Sequence, residues 1–164
     1  MAGESVGGNM AAALTLMAKE RGDVRFVQTS MYYPVTDAAM DTASYDDFAE
    51  GYYLTRKAME WFWDAYIVDP EERTQITASP NQATTDQLKG LPPTLLIVDE
   101  VDPLRDEGEA YAAKLRLAGV PVTTVRYDGV VHDFMLLNAM SQANATRAAI
   151  AQATAFLRQA LGTD

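Results

Sequence analysis

Gly3-Glu4-Ser5-Val6-Gly7 decides how the rest of the chain is read. A serine flanked by glycines in the G-x-S-x-G pattern belongs to a turn so sharp that a strand enters it and a helix leaves it, with the serine hydroxyl held at the apex. Taken alone, the pentapeptide also fits a Gly-rich turn that merely opens a helix. The residues downstream of Gly7 separate these two possibilities. Met10, Leu14 and Met17 recur at helical spacing through an Ala-rich run that Arg21-Gly22-Asp23 ends. Residues 24–32, rich in Val, Phe and Tyr and stopped by Pro34, read as a strand, and residues 37–51 as polar and irregular. Thr55 is placed to cap a helix that reaches Tyr66 and ends at Asp69-Pro70.

The second half repeats the alternation. Thr94-Leu95-Leu96-Ile97-Val98 is the short apolar run expected of a parallel strand buried on both faces, and Asp102 lies just past its end. A helix over 105–118 closes at Gly119 and Pro121, and residues 122–127 form another strand. The chain's only histidine, His132, follows in the loop 128–133. A last helix over 143–161 carries Ile150, Leu157 and Leu161 on one face and stops at Gly162. Helices alternating with strands imply crossover connections on a parallel sheet, whose ligand sites lie outside the carboxyl ends of the strands. Ser5, Asp102 and His132 all fall on that edge, each next to a different strand.

Composition bounds the function. A chain of 164 residues, 48% of them apolar, suits one domain with a real core. A net charge of −10 argues against nucleic acid and against docking on anionic lipid. No apolar run approaches the ~20 residues needed to span a bilayer, and the first residues lack the regions of a signal peptide, so a cytoplasmic protein is expected. With no cysteine, thiolate nucleophiles and cysteine metal sites are excluded. The acidic set Asp99, Glu100, Asp106 and Glu107 reads as a solvated helix start rather than a metal site, with Arg105 pairing one of its members. No metal and no cofactor is expected. Met59, Trp61, Phe62, Trp63 and Tyr66 read as ordinary packing rather than as the wall of an acyl pocket.

Gly3-Glu4-Ser5-Val6-Gly7-Gly8-Asn9 resembles the G-D-S-A-G-G-N block of the hormone-sensitive lipase family of α/β-hydrolase esterases. Ala78-Ser79-Pro80, Gly90-Leu91-Pro92-Pro93, Asp102-Pro103-Leu104-Arg105-Asp106-Glu107-Gly108, Ala118-Gly119-Val120-Pro121-Val122, Tyr127-Asp128-Gly129 and His132-Asp133-Phe134 are similar to its later blocks. The resemblance spans nearly the whole chain and implies the C-terminal part of an α/β-hydrolase fold as a single partial domain, residues 1–164. It implies Ser5 as nucleophile, Asp102 as acid and His132 as base. The Val6 N–H, next to the serine at a helix N-terminus, is placed to donate to an oxyanion, and Glu4, Phe134 and the strand-end pair Tyr32 and Tyr33 are expected near the substrate. Glu4 and Val6 stand where the family usually has Asp and Ala, and Asp133 where it has Gly. The family's H-G-G-G oxyanion segment, found upstream of the serine, has no match in these residues.

The expected activity is carboxylic-ester hydrolysis on small or medium acyl esters, impaired by the missing donors. Amide, lactone or acyl-transfer chemistry stays open, as does a non-catalytic remnant or association module that keeps the triad. With only the last residues of a strand before Ser5, the strand at 24–32 is expected to expose an unpaired edge, through which the chain would associate with its own copy or with a missing N-terminal part.

Overall fold

The computed structural model describes residues 1–163. Four strands, β1 (Ala2–Glu4), β2 (Thr29–Tyr32), β3 (Thr94–Val101) and β4 (Val122–Val131), form one parallel sheet in the order β1-β2-β3-β4. The main helices are α1 (Val6–Arg21), α3 (Arg56–Tyr66), α5 (Arg105–Leu117) and α6 (Asn144–Leu161), with short turns α2 (Ala43–Asp47) and α4 (Thr85–Leu88) between them. Helix ends sit where the residue types require them. The Thr55 hydroxyl accepts the Ala58 N–H at 3.1 Å and so caps α3, and Gly22 and Gly162 end α1 and α6 in the left-handed region.

The sheet is buried on both faces because β3 is apolar on both. Leu96 and Val98 face α1 and α5, packing with Ala12, Leu16, Tyr111 and Leu115, while Leu95 and Ile97 face α6 with Phe134, Ala149 and Ala153. Each such Leu or Ile is wholly buried and contributes about 1.5–3 kcal/mol. A third cluster, including Val35, Tyr45, Leu54, Met59, Trp63 and Leu104, covers the carboxyl edge of the sheet beside the serine turn.

Five expectations change. The strand expected over 24–32 is paired only over Thr29–Tyr32, and Val24 and Val27 are solvent-exposed. Its edge is not free: β1 pairs with it in register from Ala2↔Ser30 to Glu4↔Tyr32, so the sheet has four strands and its edge strands are β4 and the three-residue β1. The apolar stripe that marks α1 is not its buried face. Met10 and Leu14 are exposed, and Ala11, Ala12 and Leu16 face the sheet, because small side chains let the helix lie close to the strands. On α6, Ile150 and Leu161 are likewise exposed, and Thr146, Ala149 and Ala153 are the buried face. The acidic set is only half solvated: Asp99 and Glu107 are buried at the carboxyl edge.

β4 runs past the expected end, to Val131, through an irregularity opposite Asp99 and Val101. Gly129 has a positive φ there and donates its N–H to Glu100 Oε2 at 2.7 Å. The bulge brings His132 to the edge where Asp102 waits.

The serine turn is held by contacts that only glycine permits. A Cβ on Gly3 would lie 2.0 Å from the Gly7 carbonyl oxygen, and one on Gly8 would lie 2.7 Å from Pro34 Cβ. The obstacle at Gly3 is backbone, which cannot swing aside. Gly3→Ala is therefore expected to destabilise the fold by about 3 kcal/mol or more, read as a lowered urea midpoint; an unchanged midpoint would mean that the turn tolerates a side chain at this position.

Candidate active site

Ser5 closes β1 and starts α1 with φ 49° and ψ −119°, a strained conformation for a residue with a Cβ. The turn survives because the surrounding backbone over-determines it. Ser5 N–H donates to Tyr32 O at 2.9 Å, and Ser5 O accepts from Asn9 and Val35 N–H groups at 3.2 Å each. The Asn9 side chain donates to Val35 O at 3.0 Å and to Ala78 O at 2.7 Å, tying α1 to two loops. Nothing in the local sequence assigns Asn9 this clamping role, because both of its acceptors are distant in the chain.

The structure brings Ser5, His132 and Asp102 together across 127 residues of chain: His132 Nε2 lies 2.9 Å from Ser5 Oγ, and Nδ1 lies 2.7 Å from Asp102 Oδ2. Asp102 Oδ1 accepts the Leu104 N–H at 2.9 Å, so its second oxygen is pinned. Asp102 and His132 are buried, whereas Ser5 opens to solvent through a cavity. Burial alone would push the imidazole down; the carboxylates of Asp102, Asp133 and Glu4 outweigh it and raise it above its ordinary value.

None of Glu4, Tyr32, Tyr33 and Phe134 lines the cavity. Tyr33 and Phe134 lie beneath the imidazole: the Tyr33 ring meets that of His132 edge-on at 5.0 Å, and Phe134 supports Tyr33 at 5.7 Å. They pack behind the imidazole. Tyr32 packs against the same cluster. Half-buried Glu4 faces Asp133, and burial together with that neighbouring charge pushes its carboxyl up. Of the triad and oxyanion residues expected from the sequence, Ser5, Val6 and His132 line the cavity.

The cavity, of about 560 Å³, has Met59, Phe62, Trp63 and Tyr66 in its wall. The packing reading of these residues is thus corrected: Met59 and Trp63 are core side chains that also present a face to the cavity, and only Trp61 points away into solvent. Their spacing along α3 puts them on one side, but periodicity cannot distinguish a core from a pocket wall. Among the described residues, Asp99, Asp102 and His132 are the only trio of metal-ligating side chains with ligand atoms mutually within 4.8 Å, and the Nδ1 of that imidazole is already engaged by Asp102.

Asp133 replaces glycine at a position that needs it, with φ 64°, and its Oδ1 sits 3.5 Å from His132 Nε2. Only the neutral imidazole can take the serine proton, so reactivity is lost as pH falls through the imidazole pKa. Asp133→Gly removes a charge that raises that pKa. It is expected to move the acid limb of Ser5 reactivity to lower pH and to relieve backbone strain of ~1 kcal/mol, read by a pH profile and a melting curve. An unmoved limb would show that Asp133 does not act on the base.

A serine on a strained strand-to-helix turn, an imidazole at hydrogen-bond distance and a buried carboxylate behind it, in that chain order on a parallel sheet, define the serine hydrolases of the α/β-hydrolase fold. Residues 1–136 match a family described as alpha/beta hydrolase fold. The chain is 49% identical over 146 residues to a putative alpha/beta hydrolase of Acanthamoeba polyphaga mimivirus, covering 88% of this chain and 42% of that one. It is 34% identical over 139 residues to an ethyl acetate hydrolase of Pseudomonas putida, covering 84% and 43%. The solved structure of a thermostable esterase from Pseudomonas putida superposes with a TM-score of 0.92 at 56% identity, covering 93% of this chain and 48% of that one. This chain belongs to the α/β-hydrolase family, in its hormone-sensitive lipase branch. It spans about half the length of the curated relatives it matches. No helix among the described residues is long and apolar enough to cross a membrane.

Proposed function

We propose that this chain carries the catalytic triad of a serine carboxylic-ester hydrolase that acts on small or medium acyl esters. The observation that supports this best is the unbroken hydrogen-bond relay from Ser5 Oγ through His132 to Asp102, opening into an apolar cavity. Nε2 would accept the serine proton as Oγ attacks the ester carbonyl, and Asp102 would hold the tautomer with Nδ1 protonated and stabilise the imidazolium. His132 then returns the proton to the departing alcohol, leaving an acyl group on Ser5. Water activated by the same imidazole releases the acid.

The Val6 N–H, first in α1, has no acceptor within its helix and would donate to the oxyanion. The cavity is large enough for a small or medium acyl group, and Met59, Phe62 and Trp63 offer it apolar contact. That a relative is named ethyl acetate hydrolase agrees with this size range.

The test is a fluorophosphonate label followed by intact mass, alongside hydrolysis of p-nitrophenyl acetate and butyrate. One label per chain, with turnover of both esters, is expected. Neither label nor turnover would return this chain to the non-catalytic alternative.

A further inference from the structure

Asp99 has no place in the Ser5–His132–Asp102 relay, yet it lies directly behind it. It sits near the end of β3 with no solvent exposure, and neither of its carboxylate oxygens accepts a hydrogen bond from another residue; the donor closest to them is its own backbone N–H. Its carboxyl oxygen, an Asp102 oxygen and a His132 ring nitrogen lie within 4.8 Å of one another. An ionised, unpaired carboxylate there, next to a second ionised carboxylate, is strongly disfavoured. A shared proton removes that penalty.

The hydrogen-bond pattern decides which carboxyl keeps the proton. Asp102 accepts two donors, the Leu104 N–H at 2.9 Å and His132 Nδ1 at 2.7 Å, and both favour its ionised form. Asp99 accepts none from another residue. We propose that Asp99 is a positioning residue of the triad, a neutral carboxylic acid whose O–H donates to the Asp102 carboxylate and so orients it and draws off part of the charge that faces His132. Asp102 then accepts three donors, from Leu104, His132 and Asp99, which leaves it little freedom to turn.

Burial, followed by the Asp102 charge and the hydrogen bond between the two carboxyls, outweighs the Asp99 residue's own backbone N–H and pushes the carboxyl well up, in agreement with a neutral acid. The other titratable acids facing this cluster are Asp133, Glu4 and, from the start of α5, Glu107. The phenols of Tyr33 and Tyr45 also face it, and burial pushes both further up, so they stay neutral. With so many carboxylates raising the imidazole, a donor to Asp102 acts in the opposite sense and moderates how strongly His132 holds a proton.

The proposal rests on the triad reading, but its test needs no turnover, so the two can fail separately. The chain has one histidine, and its ring resonances can be titrated by NMR without assignment ambiguity. Asp99→Asn keeps a neutral donor, and Asp99→Ala removes it. The Asn variant is expected to titrate within about 0.3 pH unit of the parent chain, and the Ala variant about half a unit higher or more, because Asp102 regains its full charge. Glu107, pushed up to about 8 by burial, also holds a proton near neutrality, so the infrared spectrum is read as parent minus Asp99→Asn. That difference should contain one protonated-carboxyl band. It does not depend on Asp99→Ala folding.

Three results would overturn the proposal. An imidazole pKa about one unit lower in Asp99→Asn would mean that an ionised Asp99 had been removed. An Ala variant titrating like the parent would deny any influence on the base. Tight Zn²⁺ binding lost in Asp99→Asn, with no carboxyl band, would make the trio a cation site.

Discussion

Replacing Ser5 with alanine is expected to abolish both the fluorophosphonate label and the hydrolysis of p-nitrophenyl acetate, leaving only the uncatalysed rate. Removing a serine that acts as one unit with its base removes nearly all the catalysis the unit provides, on the order of 10⁶-fold in turnover in serine hydrolases. The alanine occupies the same strained φ of 49° and keeps the backbone hydrogen bonds from Asn9 and Val35, so the turn itself should persist. An unchanged melting curve would show that the loss is chemical. Undiminished turnover in a folded Ser5→Ala chain would remove the nucleophile from this site and with it the proposed mechanism.

The second large effect is expected from Asp102→Asn, about 10⁴-fold in the acylation rate. The direction follows from the two fixed oxygens of Asp102. One accepts the Leu104 backbone N–H, which cannot reverse its polarity, so the asparagine carbonyl must stay there. The amide NH₂ then faces His132 Nδ1 and donates to it, which places the ring proton on Nε2. An Nε2–H points at Ser5 Oγ as a donor and cannot take its proton. The loss should therefore appear in the rate of labelling while cavity binding is spared, with kcat falling and KM nearly constant. Loss of the charge beside the imidazole also lowers its pKa, which the same NMR titration would register. A variant that labels within tenfold of the parent would show that Asp102 does not set the tautomer.

Much of this site is legible in the sequence, because the features involved are local or ordinal. The glycines around Ser5 announce close backbone approach, and Gly3 and Gly8 do face backbone and Pro34 where a Cβ would not fit. Thr55 caps its helix as its side chain dictates. The order Ser5, Asp102, His132, each following a strand, reflects the connectivity of a parallel sheet. The free edge expected at residues 24–32 is absent because strand pairing is non-local: Ala2 and Ser30 share no pattern in the chain, and a strand as short as β1 carries no periodicity. The apolar faces of α1 and α6 mislead for another reason. Hydrophobic size suggests Met10, Leu14 and Ile150 for the core, but close helix–sheet packing selects Ala11, Ala12 and Ala149.

The sequence alone determined the class of fold and the order of its elements, and it singled out the serine, carboxylate and imidazole that the structure brings together, since turn chemistry, buried strands and chain order are written in neighbouring residues. Only the tertiary structure decided the environment of those groups. It turned the aromatic face of α3 into a cavity wall and set Asp133 and Glu4 beside the imidazole. It also buried Asp99 against Asp102. Those outcomes depend on distances between residues far apart in the chain, and the strength of a charge on a base is a property of distance and burial, which no local pattern contains.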